Sequence, residues 1–108
     1  MLKTASLRDR TRANRAAAKI RREGGGTLAT HCTAKGLRRR QAKSVAGSLR
    51  DKAEKLGIAG TPGVFFRGGS KHDGSLYTGE EVARMALIYT PRIEAYKIVA
   101  AELRRLAN

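Results

Sequence analysis

Apolar positions recur at helical spacing through most of the chain, interrupted by one glycine-punctuated stretch past its middle. Residues 38–56 carry the clearest pattern. There Ala42, Val45, Ala46, Leu49, Ala53 and Leu56 follow one another at intervals of three and four, forming one stripe that faces a core, and Gly57 supplies the stop. Just upstream, Thr27 is placed to cap a short helix to about Lys35, with Gly36 in the C′ position that favours a left-handed turn. A short helix, a tight turn and a longer helix are the layout of a helix-turn-helix unit. Residues 6–23 read as a further helix of Ala and Arg, with Ser6 as N-cap and Gly24-Gly25-Gly26 as terminator. Its apolar content is Leu7, Ile20 and a series of alanines, so it needs support from another surface.

Between residues 58 and 79 the period changes. Two short runs, Val64-Phe65-Phe66-Arg67 and Ser75-Leu76-Tyr77-Thr78, are separated by Gly68-Gly69-Ser70-Lys71-His72-Asp73-Gly74, which predicts a two-stranded hairpin with a seven-residue loop. Beside a helix-turn-helix such a hairpin is a wing. Thr78-Gly79-Glu80-Glu81 then has the Thr and Glu of a capping box and predicts a helix to about Tyr89. Thr90-Pro91 places a capping residue before a proline at N1 and predicts a last helix to about Leu106, buried through Ile93, Tyr96, Val99, Ala100, Leu103 and Leu106. The expected fold is therefore mainly α with one short β-hairpin, winged-helix-like, as a basic N-terminal arm over residues 1–25 and a helical domain over 26–108 whose hairpin spans about 63–78.

The two helix pairs also overlay without a gap at an offset of 54 residues. Ala29 falls on Ala83, Arg38 on Arg92, Lys43 on Lys97, Val45 on Val99, Ala46 on Ala100, Leu49 on Leu103 and Arg50 on Arg104. Duplication accounts for this, and so does chance matching in an Ala- and Arg-rich chain. A duplication implies two helical hairpins about a pseudo-twofold.

Charge turns this fold outline into a functional expectation. Against 9 Asp and Glu stand 23 Lys and Arg, a formal net charge of +14 over 108 residues. A compact chain with this excess repels itself unless phosphates or an acidic surface neutralise it. The excess is uneven: residues 1–25 and 26–57 carry +6 each, residues 58–79 and 80–108 only +1 each. Phe65, Phe66, Tyr77, Tyr89 and Tyr96 all lie in the second half, so one half is expected to bind and the other to consolidate the core. The 41% apolar content separates the chain from a disordered polycation.

Arginine dominates the bases, and its planar guanidinium donates two parallel hydrogen bonds to a phosphate or a guanine edge. The candidate contacts on the first helix are Arg8, Arg10, Arg12, Arg15, Lys19, Arg21 and Arg22. On the second long helix they are Arg38, Arg39, Arg40, Lys43, Ser44 and Arg50, set around the small residues Ser44 and Gly47. Small residues let a helix backbone approach a sugar-phosphate wall, although a mid-helix glycine also serves close packing of helix on helix. The hairpin adds Arg67 and Lys71. The basic half has no Phe, Tyr or Trp on which single-stranded bases would stack, which favours duplex DNA over single-strand reading. Recognition of folded RNA, as by an antiterminator or ribosome-associated protein, and a clamp on an acidic host protein stay open, as does a homodimer.

Arg12-Ala13-Asn14-Arg15-Ala16-Ala17-Ala18-Lys19 resembles the basic region of leucine-zipper factors, in which Asn, small residues and Arg share a face in the major groove, and is similar to the arginine-rich RNA-binding peptides of phage antitermination proteins. It departs from the zipper pattern at Ile20 and at the triple glycine. Ala42-Lys43-Ser44-Val45-Ala46-Gly47-Ser48-Leu49-Arg50 and Tyr89-Thr90-Pro91-Arg92 resemble small basic DNA-binding-type proteins of actinobacteria and their phages. That resemblance bears on origin and adds little about activity; the concentration of charge on residues 1–57 leads to the expectation of a regulatory or architectural binder in the cytoplasm, associated with the nucleoid or encoded by a phage.

Other chemistries lack residues to perform them. Cys32 is the single cysteine, so neither an internal disulfide nor a thiolate-rich zinc site is expected. His31-Cys32 and His72-Asp73 have no paired ligand spacing, and neither a phosphate-binding glycine loop nor a supported nucleophilic triad occurs. No cofactor and no catalysis are expected. The longest apolar run, Met85 to Tyr89, is far short of the ~20 residues a membrane helix needs. The Arg-rich first 22 residues overlap in character with an organellar transit peptide.

Overall fold

The computed structural model describes residues 7–67 and 70–107, the side chains of residues 9, 64–67, 70–73 and 107 excepted. The expected Ser6 cap lies outside the described residues. The chain is mainly helical, with one two-stranded antiparallel hairpin. Three helices come first: α1 (Leu7–Glu23), α2 (Leu28–Ala34) and α3 (Arg39–Leu56). Strands β1 (Thr61–Arg67) and β2 (Ser70–Leu76) follow, then α4 (Gly79–Leu87) and α5 (Glu94–Arg104), which ends in a 3₁₀ turn over Arg105–Ala107.

The start and stop residues act as the sequence implies. Thr27 accepts from the Thr30 N–H at 3.1 Å, and Gly36 and Gly57 adopt φ of 102° and 72°, a region closed to most side chains. At α4 the box is complete: Thr78 Oγ1 accepts from the Glu81 N–H, and Glu81 Oε1 accepts from the Thr78 N–H.

Ala42, Val45, Ala46, Leu49 and Ala53 of α3 are buried, and they pack with Leu28 and Cys32 of α2, Val82, Met85 and Ala86 of α4, and Val99, Ala100 and Leu103 of α5. Val45, Ala46 and Leu49 thus share their burial with Val99, Ala100 and Leu103, their partners at the 54-residue offset. Leu56 is 36% exposed, so the stripe ends one turn earlier than its spacing predicts, where the chain leaves the helix through Gly57. Tyr77 and Tyr89 join the core and Tyr96 borders it.

Two expectations are corrected. The hairpin is not two four-residue strands around a seven-residue loop. Its ladder runs from Thr61 opposite Leu76 to Arg67 opposite Ser70, leaving two residues between the strands. Glycines 63 and 74 face each other within it, and a Cβ on Gly63 would lie 2.8 Å from the Leu76 side chain, so the glycine clears a place for that leucine. Tyr77 and Thr78, read as strand residues, instead form a bridge to Gly26 and the cap of α4. The second correction concerns α5. It starts at Glu94 rather than at Pro91, and α4 ends at Leu87 rather than Tyr89, leaving Ile93 58% exposed outside the core. The Arg104 side chain reaches back to the end of α4: Nε donates to the Ala86 carbonyl at 2.9 Å and a terminal nitrogen donates to the Tyr89 carbonyl at 3.0 Å. Those bonds satisfy carbonyls that the end of α4 leaves without helical partners, and Tyr89 is buried beside them.

Candidate nucleic-acid interface

The linker between α1 and α2 is fixed to the end of the hairpin. Gly26 and Tyr77 exchange backbone bonds of 3.0 and 2.8 Å, and the Tyr77 carbonyl also lies 2.7 Å from Nε2 of the buried His31. A Cβ on Gly25 would stand 2.8 Å from that same carbonyl oxygen, so only glycine lets the linker approach so closely. Burial lowers the His31 pKa, an effect the bond to Tyr77 opposes and Lys35 reinforces. The ring is therefore the neutral Nε2–H tautomer, donating to the carbonyl. From the sequence alone this histidine offers only the chemistry of a metal ligand. Burial likewise pushes the Cys32 thiol up to about 12, which leaves it an inert core group.

From this anchor α1 lies against α2, with Ile20 beside Gly26. The face of α2 carrying Leu28, His31 and Cys32 is buried, and the face carrying Ala29, Thr30 and Thr33 is turned to a cleft of about 500 Å³. One wall is α1, through Arg12, Arg15, Ala16, Lys19 and Glu23 at the 3–4 spacing of a single helix face; the other is α3, through Arg39, Ala42 and Lys43. Gly25, Gly26, Thr27 and Leu76 complete the lining. Among the described residues the cleft thus gathers five bases and one acid over a floor of glycine, alanine and threonine.

The remaining sequence candidates are distributed around it. Arg8 lies one turn before Arg12 on the same side of α1, whereas Arg10 and Arg21 project from the opposite side and Arg22 from the margin; all four are exposed. Arg38 is the N-cap of α3, where its N–H donates to Gln41 Oε1. Arg40 and Ser44 are exposed on α3 beyond the cleft wall. Arg50 lines a second cleft, of about 420 Å³, with Glu54, Ile58, Ser75 and Tyr77; the two clefts share Thr27 and Ala29. Arg67 and Lys71 stand in β1 and β2, and their side chains lie outside those described.

Gly47 settles one alternative. Nothing lies within 4 Å of a Cβ built on it, so it does not seat another helix. Its neighbours on the outward face of α3 are Lys43, Ser44 and Arg50, one turn away, and Arg40, two turns away.

No group of three or more His, Cys, Asp or Glu able to hold a metal occurs among the described residues, and none of their helices is long and apolar enough to cross a membrane. Comparison with protein-family models, curated proteins and solved structures finds no match to this chain.

Proposed function

We propose that this protein is a non-enzymatic nucleic-acid binder whose partner is duplex DNA and whose role is regulatory or architectural. The observation that carries the reading is the convergence of Arg12, Arg15, Lys19, Arg39 and Lys43 on one small-floored cleft. Such a cluster concentrates positive potential where a low-dielectric wall focuses it, and it attracts a polyanion while raising the on-rate. The threonine, alanine and glycine floor lets a phosphate backbone approach closely. On this reading α2 and α3 act as a helix-turn-helix and the hairpin as a wing. The cleft fixes register on the backbone, and the outward face of α3, with Arg40, Ser44 and Arg50 around Gly47, meets base edges.

The test is a fluorescence titration of a labelled duplex at several salt concentrations. Engaging about five phosphates gives a log–log slope near −4.5. A flat salt response, or no binding at low salt, removes the reading. A pull-down with and without nuclease addresses the acidic-protein alternative, since a protein partner survives digestion. Competition by folded RNA at higher affinity than the duplex would move the assignment from DNA to RNA.

A further inference from the structure

We infer that α1 is a clamp arm, and that a phosphodiester strand seated between α1 and α3 is the counterion that holds the arm closed; this rests on the nucleic-acid reading of the same cleft. Three observations carry it. First, α1 is weakly docked. Its large apolar residues are Leu7, 75% exposed, and Ile20, half-buried, and the rest of its inward surface is alanine. So little apolar area gives a helix of this length little tertiary support. Second, the cleft carries a net excess of like charge, with Arg15 and Lys19 beside Glu23 on the α1 wall and Arg39 and Lys43 on the α3 wall. One carboxylate does not balance four cations, so bringing the walls together is costly until a further anion sits between them.

Third, the arm has a fixed base and a pivot. Gly25 and Gly26 are pinned against Tyr77, whereas Gly24, directly before them, holds φ of 74° with nothing within 4 Å of its Cβ position. Rotation at Gly24 therefore moves α1 without disturbing the anchor. A strand of phosphates bridges both walls at once, which a contact on the outer side of α1 would not do. The same geometry makes binding and arm order mutually dependent: whatever closes the arm raises affinity for the strand, and the strand closes the arm.

Hydrogen exchange on the full chain, read by peptide, tests this in two arms. In the free protein, raising NaCl screens the wall-to-wall repulsion and slows exchange across α1, while α4 and α5 are unaffected. With a saturating 20-base-pair duplex, α1 slows further, by about tenfold, as an opening free energy raised by 1.4 kcal/mol requires. Two variants of equal charge change separate clamping from general attraction. Arg15→Glu with Lys19→Glu puts acids opposite Arg39 and Lys43; it protects α1 in the free protein and makes the salt slope for the duplex shallower by about 2. Arg10→Glu with Arg21→Glu, on the outer side, leaves α1 exchange and most of the slope intact.

If the duplex binds with a steep salt slope but α1 exchange stays the same, the clamp is wrong and the proposed function stands. Equal losses from the two variants also overturn the clamp. No duplex binding at low salt overturns both. If only an acidic protein or a folded RNA protects α1, the duplex strand is the wrong occupant.

Discussion

His31 donates from Nε2 to the carbonyl oxygen of Tyr77 at 2.7 Å, 46 residues away in sequence, and that oxygen also accepts the Gly26 N–H. One carbonyl thus ties together the linker behind α1, the buried face of α2 and the end of the hairpin. The base of the α1 arm, the floor of the basic cleft and the hairpin end thus meet at a neutral group.

Acid should loosen that junction. The folded-state pKa of His31 lies below its ordinary value of 6.5, chiefly because burial penalises the imidazolium. The unfolded chain therefore takes up the proton first as pH falls. The stability that neutral His31 contributes is complete above the unfolded value near 6.5 and is lost progressively as pH drops from there toward the lower folded value. Thermal melts should give a constant Tm between about pH 7 and 8 and a falling Tm below about 6.5. His31→Gln, which keeps a donor but does not titrate, should flatten that limb. An unchanged acid limb in the variant would assign the effect to another group.

Two glycines make opposite predictions. Gly25→Ala pushes a Cβ against the Tyr77 carbonyl at 2.8 Å, where both atoms belong to pinned backbone, and should cost about 1–3 kcal/mol. Gly47→Ala meets no neighbour within 4 Å and removes a helix-interior glycine, so it should stabilise by about 0.5–1 kcal/mol. Denaturant titrations measure both. If α3 approaches a backbone at Gly47, the more stable variant also binds duplex more weakly; equal or tighter binding would move the close approach away from that position.

Much of the fold is legible where one residue type decides a local geometry. Gly36 and Gly57 end their helices in the left-handed region, and Thr78 with Glu81 closes a capping box whose four residues hold all the information needed. Thr90-Pro91 carries a start signal of similar strength, yet the helix waits until Glu94. Nor does that dipeptide show that the Ala86 and Tyr89 carbonyls before it are taken by an arginine more than ten residues later. The hairpin register is likewise not written in either strand alone, because space for Leu76 over Gly63 exists only after the strands pair. At the site, sequence supplies the basic residues without grouping them. Arg12, Arg15 and Lys19 meet Arg39 and Lys43 only because α2 packs its opposite face into the core. The 54-residue repeat has the same limit: it equates Arg50 with Arg104, yet the first is exposed and the second binds backbone.

Arg104 and Lys43 should therefore separate stability from binding, although both are bases on helices of the basic chain. Arg104→Met leaves the Ala86 and Tyr89 carbonyls without their charged donor in a half-buried setting and should cost about 1.5–3 kcal/mol of unfolding free energy. Under conditions where it stays folded, its salt slope for duplex should equal that of the parent chain. Lys43→Met removes an exposed cation from the cleft wall, changes stability by no more than about 0.5 kcal/mol and makes the slope shallower by about 1. Guanidinium denaturation and the salt titration, run on the same two preparations, check the pair. A slope change in the Arg104 variant, or none in the Lys43 variant, would place the phosphate contacts outside the cleft between α1 and α3.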